Sequence, residues 1–168
     1  FRRFDAKGQP VGIVLEQTGN LLLGVVVTAR LTERQRIGVA FSGFAGDDVL
    51  TGQDGSDTLD GGPGNDALDG GAGGDTASYA GASVGVSVTL ATLGVPQNTG
   101  GAGLDTLLAI EHLIGSGFSD TLTGNAAVNT LDGGAGGIVT LNGGAGADTL
   151  IGGDGRDEGH ATEVARFP

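Results

Sequence analysis

Gly52-Gln-Asp-Gly-Ser-Asp-Thr-Leu-Asp60, Gly61-Gly-Pro-Gly-Asn-Asp-Ala-Leu-Asp69 and Gly70-Gly-Ala-Gly-Gly-Asp-Thr-Ala-Ser78 are three consecutive nine-residue lines of one pattern. Glycine opens each line and returns at its fourth place as Gly55, Gly64 and Gly73. Asp57, Asp66 and Asp75 hold the sixth place, and Leu59, Leu68 and Ala77 the eighth. Residues 43–51 fit the same register one line earlier, with Gly46, Asp48 and Leu50 in their columns, so four units follow one another. A fixed period of this kind is an architecture, because each unit repeats the backbone path of the one before it.

Each column has a physical reason. Glycine at the first, second and fourth places lets the backbone turn through positive φ and brings carbonyl oxygens close to a guest, which a Cβ obstructs. The sixth place supplies a carboxylate, and carboxylates together with carbonyls are the hard oxygen donors that Ca²⁺ selects. Places seven to nine make a three-residue strand whose middle side chain points inward, since side chains alternate faces along a strand.

The pattern Gly-Gly-x-Gly-x-Asp-x-apolar-x resembles the RTX, or haemolysin-type, calcium-binding nonapeptide repeat. That resemblance implies an all-β fold, a right-handed parallel β-roll in which two nonapeptides make one turn and Ca²⁺ sits between the loops of successive turns. It also implies that Asp48 shares ions with Asp66, and Asp57 with Asp75. The glycines around them, Gly46, Gly55, Gly62, Gly64, Gly71 and Gly73, then belong to the same metal sites. Export by a type I secretion machinery, with folding on emergence into calcium, is a further implication of the family.

Composition points the same way. The chain has 168 residues, of which 36 are Gly and only 4% are aromatic, which is poor material for an ordinary packed core. From residue 37 to residue 155 there is no Lys or Arg against 14 Asp and Glu, so this region repels itself without a cation. A chain with so little apolar area to set against conformational entropy is expected to be expanded when metal-free. Calcium then neutralises and folds it in one equilibrium. Extracellular modules bind Ca²⁺ at roughly 10⁻⁴–10⁻³ M, which places folding outside the cell. With no Cys, disulfides are excluded and the metal is the remaining staple. The longest apolar run, 21–29, is too short to span a bilayer, and a net charge of −12 disfavours nucleic acid and anionic membrane. The chain opens on Phe1 with no signal peptide before it and reads as a piece of a larger protein.

Around the four units the pattern loosens. Residues 1–42 read as a small β-rich segment with strands over 11–16, 21–31 and 37–41 and turns at Lys7-Gly8 and Gly19-Asn20. Phe41, Phe44 and Tyr79 read as caps on the ends of the first roll, 43–78. Residues 79–114 read as a connector that breaks the period, with a strand over 84–93, a loop over 95–102 and an apolar run over 106–114. Residues 100–108 match the nonapeptide in isolation, but Asp105 precedes Asp120 by 15 residues and not 18 and is out of step with it. A second, degenerate roll is expected over 115–159, where Asp120 and Asp148 keep the sixth place and Asn129 replaces the carboxylate. Its ten-residue line 133–142 puts Ile138 where aspartate belongs, and one extra residue inverts the inside-outside alternation unless a bulge absorbs it. Asp105, Asp120 and Asp148 are therefore further candidate ligands. With Gly159 at the inward place the roll is expected to end, leaving 160–168 as an irregular tail.

No catalytic constellation emerges. Gly81-Ala82-Ser83-Val84-Gly85 has the letters of a nucleophile elbow without the strand, helix and histidine partner that the elbow needs. His112 and His160 are the only histidines and neither lies in His-Glu-x-x-His, so His112 reads as structural on an apolar stretch. Three functions stay in play: a calcium-dependent folding and secretion module, the C-terminal part of a secreted hydrolase, and an adhesive solenoid. The third is disfavoured because place nine mixes Thr51, Asp60, Asp69, Ser78 and Leu108 and offers no regular lattice.

Overall fold

Three-residue strands recur where the period puts them: Val49–Thr51, Thr58–Asp60, Ala67–Asp69 and Thr76–Ser78 occupy places seven to nine of their lines. The computed structural model describes residues 3–4, 10–11, 14–16, 26–28, 40–153, 158–160 and 164–166. Successive strands go to opposite faces. Thr58–Asp60 pairs in parallel with Thr76–Ser78, and Val49–Thr51 with Ala67–Asp69, so two lines make one turn of a parallel β-roll. Among the described residues there is no helix, and none that could cross a membrane.

One face is a seven-stranded sheet running through both repeat regions: Ala40–Ser42, Thr58–Asp60, Thr76–Ser78, His112–Ile114, Thr130–Asp132, Thr149–Ile151 and Val164–Arg166. The middle residue of each described line points inward. Leu50, Leu59, Leu68, Leu113, Leu131 and Leu150 are all essentially inaccessible. Alternation along so short a strand buries one residue in three, and stacking then turns isolated leucines into a continuous apolar spine. Phe41 belongs to that spine, opposite Leu59, so the roll starts before residue 43. Tyr79 is buried as well, whereas Phe44, expected as a cap, is 68% exposed.

The opposite face is divided, and residues 79–114 divide it. From Ser78 the chain crosses to Ser87–Thr89, which lies against Thr121–Thr123 of a later turn. It then doubles back through Gln97–Asn98, antiparallel to Leu104–Leu108, and Leu104–Leu108 lands in parallel on Ala67–Asp69 of an earlier turn. The Gln97 side chain fixes this reversal by donating to the Thr89 carbonyl (2.9 Å) and accepting from the Thr89 N–H (2.7 Å). The segment expected to break the period therefore leaves the stack and returns to it in register. The strand expected over 84–93 shrinks to Ser87–Thr89, the loop over 95–102 contains a strand, and the apolar run over 106–114 supplies strands to both faces.

The extra residue of line 133–142 does not invert the alternation. Gly136 and Gly137 both take positive φ (103° and 79°) and absorb it in the loop, so Leu141 stays opposite Leu122 and buried. Beyond residue 157 the stack continues in place of an irregular tail. Glu158–His160 pairs with Thr140–Asn142, and Val164–Arg166 with Thr149–Ile151, because each puts its middle residue in register with an inward leucine. At the other end Arg3–Phe4 pairs with Pro10–Val11, Val14–Glu16 with Val26–Thr28, and Val26–Thr28 stacks on Val49–Thr51. The turns expected at Lys7-Gly8 and Gly19-Asn20 lie outside the described residues.

Candidate metal centre

The residue just ahead of each stacked strand is where the carboxylates gather, and each reaches back to the main chain of the preceding turn. Asp66 Oδ1 accepts the Asp48 N–H (2.8 Å), and Asp105 Oδ1 accepts the Asp66 N–H (3.0 Å). On the other edge Asp75 Oδ1 accepts the Asp57 N–H (2.7 Å), Glu111 Oε2 accepts the Asp75 N–H (2.9 Å), and Asp148 Oδ1 accepts the Asn129 N–H (2.9 Å). Two columns result: Asp48, Asp66 and Asp105 ahead of one face, and Asp57, Asp75, Glu111, Asn129 and Asp148 ahead of the other.

The expected pairs Asp48 with Asp66 and Asp57 with Asp75 are thus adjacent. Asp105 is in step with Asp66 across 39 residues, although it is out of step with Asp120. From its third place on, its line copies the turn below: Gly64 N–H donates to the Ala102 carbonyl (2.7 Å) as Gly46 N–H donates to the Pro63 carbonyl (2.8 Å).

Asp120 is placed differently. Its Oδ1 accepts from Val86 N–H (2.8 Å) and the Ser116 hydroxyl (2.7 Å), and its Oδ2 from Ser116 N–H (2.7 Å). Its neighbours in the column are Val86 and Val139, both buried and apolar, so no second carboxylate stands beside it. Val139, and not Ile138, takes the aspartate's place in line 133–142, while Ile138 is 57% exposed. Asp148 faces an amide: Asn129 Nδ2 donates to the Glu111 carbonyl (2.9 Å) and its Oδ1 accepts from Asn125 N–H (2.7 Å). His112 is half-buried and its Nδ1 accepts the Thr130 N–H (3.0 Å).

The glycine columns turn out to have two separate causes. First-place glycines make room for their own line's carboxylate: a Cβ on Gly52 meets Asp57 Oδ2 at 2.6 Å, and one on Gly143 meets Asp148 Oδ2 at 2.5 Å. In the four units from 43 to 78 they do not use positive φ, contrary to the expectation for that column, whereas Gly100 does (φ 76°). Second- and fourth-place glycines lie against the previous turn's carbonyls, Gly62 on Phe44 O, Gly64 on Gly46 O and Gly73 on Gly55 O. Gly62 also sits at φ 86°, a conformation that costs an L-residue about 1–2 kcal/mol. The loops are therefore stacked with their carbonyls facing the next turn at van der Waals limits, a lining of oxygen that only glycine permits.

The chain from 37 to 155 supplies no Lys or Arg to balance these carboxylates, and His112 lowers Asp75 only as the smallest of the effects on it. Burial pushes Asp66 up to about 7, and the charges of Asp105, Asp48 and Asp47 add to the effect against the hydrogen bond from Asp48 N–H. Burial likewise raises Asp75 and Asp105. The Oδ2 atoms of Asp66, Asp75 and Asp148 are buried with no hydrogen-bond partner, a state that costs several kcal/mol per ionised group unless something positive meets it. Among the described residues no three His, Cys, Asp or Glu side chains converge, so a cation here draws the balance of its ligands from main-chain carbonyls. That donor set, two carboxylates and a ring of carbonyls, suits Ca²⁺ with its six to eight oxygens and does not suit zinc.

The model of the RTX calcium-binding nonapeptide repeat, in four copies, matches residues 42–77, 108–137 and 136–158, together more than half of the chain. No curated protein matches it.

Proposed function

The chain belongs to the RTX calcium-binding nonapeptide repeat family and binds Ca²⁺ through its β-roll, and we propose that it is a non-catalytic module of a secreted bacterial protein that calcium folds outside the cell. The observation that carries this reading is the set of buried, hydrogen-bond-orphaned Oδ2 atoms on Asp66, Asp75 and Asp148 in a stretch, 37 to 155, without Lys or Arg. Without a cation such a stack is opposed by its own charge, and with one the same carboxylates tie each turn to the next. Calcium at the millimolar level outside cells supplies the cation, which fits export of an unfolded chain by a type I machinery followed by folding on arrival.

The assigned ligands are Asp48 with Asp66, Asp66 with Asp105, and Asp57 with Asp75. Carbonyls of the stacked loops that hold Gly46, Gly55, Gly62, Gly64, Gly71 and Gly73 complete each set. Asp148 is a weaker candidate because Asn129 faces it, and Asp120 is assigned a structural role. Circular dichroism of the purified chain tests the whole: β signal rises on titration with CaCl₂, reverses with chelator, and does not respond to Mg²⁺, whose rigid octahedral demand the carbonyl stack does not meet. A spectrum indifferent to millimolar calcium sinks the proposal.

A further inference from the structure

We propose that Glu111, together with the Ala109 carbonyl, completes a calcium site with Asp75 that fastens the returning end of the 79–108 excursion onto the first roll. The inference rests on calcium binding at the aspartate columns, and extends it to a residue outside the nonapeptide pattern. Three-residue link Ala109-Ile110-Glu111 replaces the usual six-residue loop between the strands Leu104–Leu108 and His112–Ile114. Despite its length it reproduces the contacts of a full loop. Gly70 N–H donates to the Leu108 carbonyl (3.0 Å) as Gly52 N–H donates to the Asp69 carbonyl (2.8 Å). The Ala109 carbonyl abuts Gly70 as the Gly70 carbonyl abuts Gly52. Glu111 Oε2 accepts from Asp75 N–H where an aspartate Oδ1 accepts elsewhere.

A second observation is independent of this mimicry. Asp75 is fully buried and spends Oδ1 on the Asp57 N–H, while its Oδ2 has no partner. A carboxylate in that condition, with a second carboxylate one turn away, no Lys or Arg in the sequence from 37 to 155 and His112 offsetting its charge only as the smallest of the effects on it, calls for a cation. The extra methylene of glutamate gives the short link the reach that aspartate has from a full loop. The next level up has no such need, because the Asn129 amide already donates to the Glu111 carbonyl. Glu111 is thus the last carboxylate before an uncharged level, and the ion it holds joins the two repeat regions on the seven-stranded side.

The test counts bound Ca²⁺ per full-length chain by equilibrium dialysis at saturating calcium. E111Q keeps an acceptor for the Asp75 N–H and loses the charge, so it binds one ion fewer than the wild type with the same β spectrum. D75N, which loses both of its levels, binds two fewer, and serves as the deciding count if E111Q does not fold. An unchanged count in E111Q, or a loss of only one ion in D75N, overturns the inference. D66N separates this from a failure of the wider reading. If D66N also leaves the count unchanged, the aspartate columns themselves are not the sites. If D66N loses ions and E111Q does not, only the role of Glu111 falls.

Discussion

Asp66 and Asp120 hold the same place in the repeat, yet replacing each by asparagine is expected to give opposite calcium behaviour. Asp66 lies between Asp48 and Asp105 and its Oδ2 is buried without a partner, so D66N removes a ligand from two levels at once. Stabilisation by a bound ligand grows as RT ln(1 + [L]/Kd), or about 1.4 kcal/mol per decade of free ligand above Kd. Losing two ions flattens the dependence by about 2.7 kcal/mol per decade, or about 4 kcal/mol between roughly 1 and 30 mM calcium. At zero calcium the sign reverses: Asp66 is costly to ionise in the metal-free roll, its pKa being raised to about 7, so above that pH D66N is no less stable than the wild type there. The two curves cross. D120N keeps one oxygen for the Val86 N–H and the Ser116 hydroxyl but turns an NH₂ toward the Ser116 N–H that Oδ2 accepted, a cost of about 1–3 kcal/mol that does not depend on calcium. Urea unfolding at a series of calcium concentrations reads both slopes. Parallel lines for D66N and wild type, or a D120N line that diverges with calcium, refutes the assignment of ligands.

Further outcomes follow from the same geometry. Asp66 ionises near 7 in the metal-free roll against 3.8 in an unstructured chain, so the folded form holds a proton that the unfolded form has lost. Stability of the metal-free roll is then fully present below 3.8, falls as pH rises toward about 7, and is level above it; Asp75 and Asp105 shift in the same direction. Calcium must displace that proton, so its midpoint by circular dichroism is higher near about pH 6 than near about pH 8, and equal midpoints contradict the buried-carboxylate account. Gln53 occupies a second place at φ 75°, where the next two lines have Gly62 and Gly71. Q53G relieves about 1–2 kcal/mol of left-handed strain and adds about 0.5–1 kcal/mol of chain-entropy cost, for a net gain of up to about 1.5 kcal/mol read as a higher Tm in calcium; a lower Tm refutes it. Tyr79 is the single tyrosine of a chain without Trp, and burial, then the charge of Asp105 beside it, pushes its pKa well above the ordinary value. Excitation of Tyr79 should therefore sensitise Tb³⁺ emission in the wild type and much less in D105N, and equal emission places the ion elsewhere.

Much of the site was legible in the lines themselves. A period of nine with an aspartate at place six fixes which carboxylates are neighbours as long as every turn contains eighteen residues, and Asp48 with Asp66 and Asp57 with Asp75 meet that condition. Inward leucines were legible for the same reason, since alternation in a three-residue strand leaves only its middle residue inside. The first-place glycines were found but misread. In the four units from 43 to 78 their cause is not a turn: it is the carboxylate five residues on, which lies where the Cβ belongs.

By itself, then, the sequence determined the β-roll, its spine and the calcium chemistry, because these depend on contacts that repeat at a constant separation. Only the tertiary structure decided where the columns run through residues 79–114. Once the chain leaves the stack and doubles back, residue separation no longer counts turns: Asp105 meets Asp66 after 39 residues and Glu111 meets Asp75 after 36. The same holds for Val139, which takes the ligand place because two glycines absorb an added residue in the loop before it. Pairing between strands fixes those positions through backbone hydrogen bonds, and no spacing within a single line records them.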